Sequence, residues 1–405
     1  MSTSDNSNSS NLPLGVYVYE KEEVPHRIVE RPTNVAAFVG YTQKCDSGGT
    51  SHLNRPLLVS SLAQFAEFFG GPPEYVKGSL MDSYMLYYSV EQFFYNGGNE
   101  CYVVSVGLYG QKVEKGRLSK GLEALVGNSE ASILVVPEAV LLPAEDCFAL
   151  QREMLAHCGS KVNGCFAVLD IHSGYRERGG SNDPIVAFSR GIGDEYLEYG
   201  AAYYPWVKCA ITGSLMPVSG IVAGLYCHID STVGVWKTPA NVQVKHIAGL
   251  AFKTDIAFIN SLNAAPGIKP VNGLLYSPYE GVRPWGSRTL DSSHNEFKFI
   301  NVVRTRLMIE ESLKMYLSPF AYENNGPETW AKIKSVVNEF LGGLRRKGAL
   351  QGVTDSDAFG VEVGLGETMC QNDLQAGNLH IRVNIALTRP GNFHPILISY
   401  KKREY

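Results

Sequence analysis

The chain is short of charge, has no paired-cysteine motif and carries no long apolar run. Each shortage removes a class of function. Asp, Glu, Lys and Arg make up 19% of 405 residues, below the usual quarter. The net charge of −4 leaves no broad cationic field for nucleic acid or an acidic membrane surface. Basic side chains cluster only at 345–347 and 401–403. The eight cysteines include no C-x-x-C pair, and Cys101, Cys165 and Cys209 sit in or beside apolar runs. That suits small buried thiols in a reducing cytosol. His157, Cys158 and Cys165 lie near each other, but their spacing matches no common zinc pattern. No stretch approaches the roughly 20 apolar residues of a bilayer span. Residues 1–11 lack the apolar core of a secretory signal and read as a disordered leader. The expectation is cytoplasmic synthesis, with no membrane insertion by this chain.

Catalytic motifs are also missing. There is no G-x-x-x-x-G-K-[ST] and no G-x-S-x-G. The glycines at 364 and 366 lack the third glycine and following helix of a dinucleotide fingerprint. Glu310 and Glu311 are adjacent on a helix and point about 100° apart, so they do not converge on one substrate. Asp170 and His172 follow a strand, where α/β enzymes often place reactive groups. They carry the alternative reading, a cytosolic α/β enzyme. The competing reading of Asp170 is a strand-end cap for the next loop. No cofactor and no metal are expected.

What the chain does have is a 44% hydrophobic content, 41 glycines and 22 tyrosines. The length supports more than one domain. Low charge with many aromatics suits a protein that buries surface against its own copies, although a large interior reads the same way. Val16 and Val18 alternate with Tyr17 and Tyr19, the period of a strand. Further strands are expected at 35–40, 57–60, 101–106, 132–136, 165–170 and 201–207. Helices are expected at 62–69, 83–95, 118–126 and 144–157. Ser60 or Ser61 caps the first of these, and Asn96-Gly97-Gly98 ends the second. Apolar strands separated by helices argue for a layered α/β domain with a covered sheet. The rhythm stops near 240. Short strands follow at 245–250 and 273–276, then helices at 301–317 and 327–344. The last helix has Pro327 in its first turn. Its apolar stripe is Trp330, Ile333, Val336, Val337, Phe340, Leu341 and Leu344. Strands at 379–387 and 396–400 close the chain.

The segment 216–242 (MPVSGIVAGLYCHIDSTVGVWKTPANV), with 282–290 (VRPWGSRTL), 301–313 and 340–352 (FLGGLRRKGALQG), resembles the contractile tail sheath family. That family covers phage tail sheaths, R-type pyocin sheaths and sheaths of extracellular contractile injection systems. Pro217, Gly220, Gly224, Asp230, Trp236, Pro239, Asn241, Trp285, Gly286, Arg288, Thr289, Leu290, Asn301 and Trp330 carry the resemblance. So do 348–352 and the TMCQNDL run at 368–374. Val282-Arg283-Pro284 replaces the usual glycine-rich lead, and Arg345 stands where many relatives have Trp. The compact length is closer to pyocin or injection-system sheaths than to large decorated phage sheaths.

The resemblance implies a fold of mixed class, α/β and α+β, and a structural role without enzymatic activity. Residues 28–240 would form an outer α/β domain. Residues 241–392 would form an inner sheath domain, completed by the N-terminal strand and neighbours' arms. Residues 12–27 would be the N-terminal arm and 393–405 the C-terminal arm. Val16, Tyr17, Val18 and Tyr19 would pair between subunits, as would Ile396, Leu397 and Ile398. Copies would form hexameric rings stacked helically around an inner tube protein, with baseplate and terminal cap proteins at the ends. The particle would assemble in the bacterial cytoplasm and then be released or anchored to a membrane. A contractile assembly with no nucleotide site stores its work in a metastable extended lattice. Lys332, Lys334, Arg345, Arg346 and Lys347 lie off the apolar stripe and are candidates to face an acidic tube.

Overall fold

The computed structural model describes residues 27–74, 83–127, 130–160, 164–180, 182–262, 267–293 and 296–401. The leader at 1–11 and the expected strand at Val16, Tyr17, Val18 and Tyr19 lie outside them. The chain runs β1 (Val35–Thr42), a minor hairpin of β2 (Asp46–Ser47) and β3 (Thr50–Ser51), then β4 (Leu57–Val59). Helices α1 (Leu62–Phe69) and α2 (Leu86–Tyr95) lead to β5 (Glu100–Leu108). Next come α3 (Lys115–Glu123), β6 (Ile133–Val135), α4 (Ala144–Gly159), β7 (Phe166–Asp170), α5 (Pro184–Gly191) and β8 (Gly200–Tyr204). The third stretch holds β9 (Val207–Cys209), β10 (Leu215–Met216), α6 (Ser219–Thr232), β11 (Ile247–Leu250), α7 (Ile256–Leu262), β12 (Val271–Ser277) and β13 (Gly281–Trp285). The last holds α8 (Ile300–Leu317), α9 (Pro327–Arg346), α10 (Asp355–Ala358), β14 (Phe359–Val363), α11 (Gln371–Gln375), β15 (Asn378–Ile385) and β16 (His394–Lys401).

Eight strands form one sheet in the order β13-β12-β8-β7-β6-β1-β5-β4. The six inner strands are parallel, and β13 and β4 close the edges antiparallel. A central parallel strand is covered on both faces, so it reads as an unbroken apolar run. That is why β1 is VAAFVGYT with every residue buried. Ala37, Val39 and Tyr41 face the layer of α3, α4, α5 and α7, while Ala36 and Phe38 face α1, α2 and α6. Ser61 caps α1 by accepting the Gln64 N–H at 3.2 Å.

The sheet does not stop near 240, where the sequence reading placed its boundary. Strand β12 pairs parallel with β8, from Val271 opposite Ala202 to Gly273 opposite Tyr204, and β13 then forms the edge. Among the described residues, the stretch between β10 and β12 supplies α6, a short strand and a seven-residue helix, so the local rhythm fades. The returning strand finds its place through a partner far back in the chain. The hand-over to the second unit falls in α8 instead. Ile300, Val303 and Leu307 pack under the large sheet. Met308, Ile309, Leu313, Tyr316 and Leu317 pack into a separate core with α9 and the antiparallel sheet β14-β15-β16. In α9, Ile333, Val337, Phe340, Leu341 and Leu344 are buried and Trp330 and Val336 partly so, as the stripe requires.

Helices α2 and α6 touch backbone to backbone. A methyl group on Gly220 would sit 2.4 Å from the Ser89 carbonyl oxygen, and one on Gly224 would sit 2.5 Å from that of Phe93. Alanine gains about 1 kcal/mol over glycine in helix propensity, but overpacking a tight contact costs about 1–3 kcal/mol. Gly220→Ala and Gly224→Ala are therefore expected to be net destabilising, read as a lower urea midpoint. A midpoint unchanged or raised would show that the helices separate freely.

Candidate assembly surfaces and the junction between the units

Asp170 ends β7 and is fully enclosed. One carboxylate oxygen, Oδ1, accepts the N–H groups of Val218 at 2.8 Å and Ser219 at 2.9 Å. It thus satisfies orphan donors at the start of α6. His172 is half-buried, with Nε2 at 3.1 Å from the Leu142 carbonyl, and burial pushes its pKa down. The strand-end cap describes Asp170. Glu138 plays a similar part that the sequence reading missed. Its Oε2 accepts the Tyr41 N–H at 2.7 Å, and its Oε1 accepts those of Met85 at 3.1 Å and Leu86 at 3.2 Å. It ties β1 to the start of α2.

Burial pushes Glu138 up to about 7 and Asp170 up to about 6, against the pull of their hydrogen bonds. Both folded-state values lie above the ordinary 4.5 and 3.8. The stability these groups contribute is full below the ordinary values and is lost as pH rises through the folded ones. Their share, on the order of a few kcal/mol, should fall between about pH 4 and about pH 7. Asp170→Asn keeps an oxygen that can accept both N–H groups and removes the titration. The expected result is stability near neutral pH equal to or above that of the parent, with a flatter pH profile. Large destabilisation by that variant would mean the charge itself is needed.

The two units meet around α8. Arg304 places Nη1 3.1 Å from Asp230 Oδ1 and Nη2 2.6 Å from Oδ2, with side chains 4% and 2% exposed. Its Nη2 also donates to the Thr33 carbonyl at 2.9 Å, and the guanidinium lies 4.7 Å from the Tyr226 ring centre. Burial would push the Arg304 guanidinium down, but Asp230 outweighs that and lifts it above its ordinary value. Arg31 donates its N–H to Ser312 Oγ at 2.9 Å and its Nη1 and Nη2 to the carbonyls of Gly164 at 2.6 Å and Ala131 at 3.0 Å.

The segments singled out in the sequence converge here. Asn301 Nδ2 donates to the Trp236 carbonyl at 3.0 Å. Asn272 accepts the Arg288 N–H and donates to its carbonyl, both at 2.8 Å. Thr289 Oγ1 donates to the Phe297 carbonyl at 2.9 Å. Arg304, Arg31 and Asn272 were not found from sequence. The one available signal was a cation between Val303 and Leu307 on an apolar helix face.

Strand β16 pairs with β15 of its own chain, Ile396 opposite Val383 and Ile398 opposite Ile381. Ile396 and Ile398 are buried in the second core, while Leu397 points outward, 68% exposed. The outer side of β16 carries no further strand among the described residues. Glu296 contacts Asn392 and His394 and anchors the start of β16.

The five basic candidates are not a free positive patch. Lys334 pairs with Glu367 at 2.7 Å, Lys332 with Glu323 at 3.6 Å and Arg345 with Asp355 at 2.6 Å, and Lys347 contacts Glu30. Acidic residues on neighbouring loops, invisible in the helical pattern, neutralise four of them. Arg346 is exposed and makes no ion pair among the described residues. Among those residues, no group of three or more His, Cys, Asp or Glu is placed to hold a metal, and no helix is long and apolar enough to cross a membrane.

The fold, an eight-stranded, mainly parallel α/β sheet joined by one helix to a small antiparallel sheet, is shared with solved contractile sheath proteins. The chain matches a sheath of an extracellular contractile injection system, the PVC sheath complex in its contracted state, with a TM-score of 0.72. That match is 23% identical and covers 98% of this chain and 99% of the other. It matches the contracted helical sheath of the anti-feeding prophage with a TM-score of 0.73, 24% identity and coverage of 98% and 100%. In sequence it is 22% identical over 309 residues to a putative prophage major tail sheath protein of Pseudomonas aeruginosa (strain UCBPP-PA14), covering 73% of this chain and 75% of that protein. No protein-family model matches the chain. The resemblance to contractile sheaths read from the sequence is borne out.

Proposed function

We propose that this chain is the structural subunit of a contractile sheath. It polymerises as stacked hexameric rings around an inner tube and contracts to drive the tube through a target envelope. The observation that carries the reading is the match along 98% of the chain to two sheaths in the contracted state. In this reading the second unit lies toward the tube and the large sheet lies outside. Neighbouring copies are joined by strands. The N-terminal segment around Val16 and Val18 adds to a neighbour's open sheet edge. Residues 394–401 can be exchanged between copies in the register they hold with β15. Baseplate and cap proteins bound the assembly, which forms in the bacterial cytoplasm. Lys332, Lys334, Arg345, Arg346 and Lys347 are the candidates for contact with an acidic tube, and Arg346 is the one with no ion pair among the described residues. The capping role of Asp170 favours a structural over an enzymatic part for the site once weighed as catalytic. Electron microscopy of the purified chain tests the proposal. Striated tubes or hollow contracted cylinders are expected; compact closed oligomers under every assembly condition would overturn it.

A further inference from the structure

Cys158 lies in the last turn of α4, and Cys165 immediately precedes β7. Their Sγ atoms are 3.0 Å apart, and both are buried. A disulfide needs about 2.05 Å, so bonding requires a closure of about 1 Å. We propose that these two residues are an oxidisable dithiol, which a peroxide converts to an intrachain disulfide at the seat of Arg31.

The surroundings assign the roles. The Cys158 thiol, with His157 and Arg31, pulls Cys165 toward the thiolate against the cost of burial. Burial pushes Cys158 the other way. Cys165 also lines a small cavity beside His157, so Cys165 is the nucleophile and Cys158 the resolving thiol. The cavity, of about 10 Å³ and lined in part by Ala131, Leu134, His157 and Cys165, holds about one water, so a peroxide reaches the sulfur only as these side chains move slightly apart. The Cys165 thiolate attacks one peroxide oxygen. The O–O bond breaks and a sulfenic acid forms, while the departing hydroxide takes up the proton the thiol released. Cys158 then attacks the sulfenic sulfur. The S–O bond breaks, and the hydroxyl leaves as water with the Cys158 proton. Two thiols are oxidised and one peroxide is reduced to two waters.

The bond would lock the corner onto which the two units dock. Gly164, beside Cys165, gives its carbonyl to Arg31, and a methyl group there would sit 2.7 Å from the Glu311 side chain on α8. Only this consequence rests on the sheath reading. A particle built in a reducing cytosol and later released meets oxidant, and its junction stiffens after assembly.

The test uses the purified full-length chain exposed to hydrogen peroxide, with residual thiols alkylated and peptides read by mass spectrometry. The expected product links Cys158 to Cys165, takes the free thiols of this pair from two to none, and melts at a higher temperature than the same sample after reduction. In Cys158→Ser the reaction should stop at a sulfenic acid on Cys165 that dimedone traps. The inference is overturned if both residues remain alkylatable while exposed Cys370 oxidises, or if Cys165 oxidises in the parent without a linked peptide. Linkage is read whether or not tubes form, so failure of the sheath reading would leave this result standing.

Discussion

Replacing Asp230 with alanine is expected to destabilise the subunit by about 3–5 kcal/mol, the cost of leaving a buried charge without its partner. Asp230 closes α6 against α8, and the Arg304 guanidinium it holds is buried, with a side chain 4% exposed. The remaining partners, the Thr33 carbonyl at 2.9 Å and the Tyr226 ring, are neutral. A single carbonyl bond nets about 1 kcal/mol and the ring about 2 kcal/mol when desolvated. Neither matches the loss of a bidentate carboxylate. Removing both charges together, as Asp230→Leu with Arg304→Met, should recover most of the stability, because well-packed apolar groups often replace a buried pair at no net cost. Urea unfolding of the parent, both single variants and the pair gives the coupling directly. An Asp230→Ala loss below about 1 kcal/mol would show that water reaches the junction.

Deleting residues 1–20 should abolish tube formation while leaving the monomer folded and its melting temperature nearly unchanged. Among the described residues, the buried members of the three cores begin at Ile28. What the deletion removes is the segment with strand alternation at Val16 and Val18. An open sheet edge pairs with any strand that fits it, and among the described residues β16 presents such an edge. Each new backbone bond nets about 1 kcal/mol, and ordering each arm residue costs about 1–2 kcal/mol. One arm is thus marginal by itself. Exposed apolar groups such as Leu397 and the multiplicity of a lattice must supply the remainder. Light scattering and electron microscopy under assembly conditions read the outcome. Normal tubes from the shortened chain would place the connection elsewhere.

Much of the fold was legible because it was local. The unbroken apolar run of β1, the Ser61 cap, the asparagine and glycines that end α2 and the stripe of α9 each state their structure within a few residues. The helices expected at 301–317 and 327–344 fall within two residues of α8 and α9. The short helix α5 and the edge strand β13 were not read. Neither has a long periodic pattern, and β13 contains Pro284, which argues against a strand except at an edge.

The order of residues by itself fixed the class of this protein. It set out alternating apolar strands and helices, a second unit of helix and antiparallel strands, and an array of small and aromatic residues that resembles contractile sheaths. Tertiary structure decided how these parts are joined. The return of β12 to β8, the bidentate clasp of Arg304 on Asp230 and the ion pairs that cover Lys332, Lys334, Arg345 and Lys347 all link residues distant in the chain. A local pattern reports which face of an element is apolar. It cannot report which distant backbone fills a sheet position or which carboxylate meets a cation, because those choices are made by the packing of the whole chain.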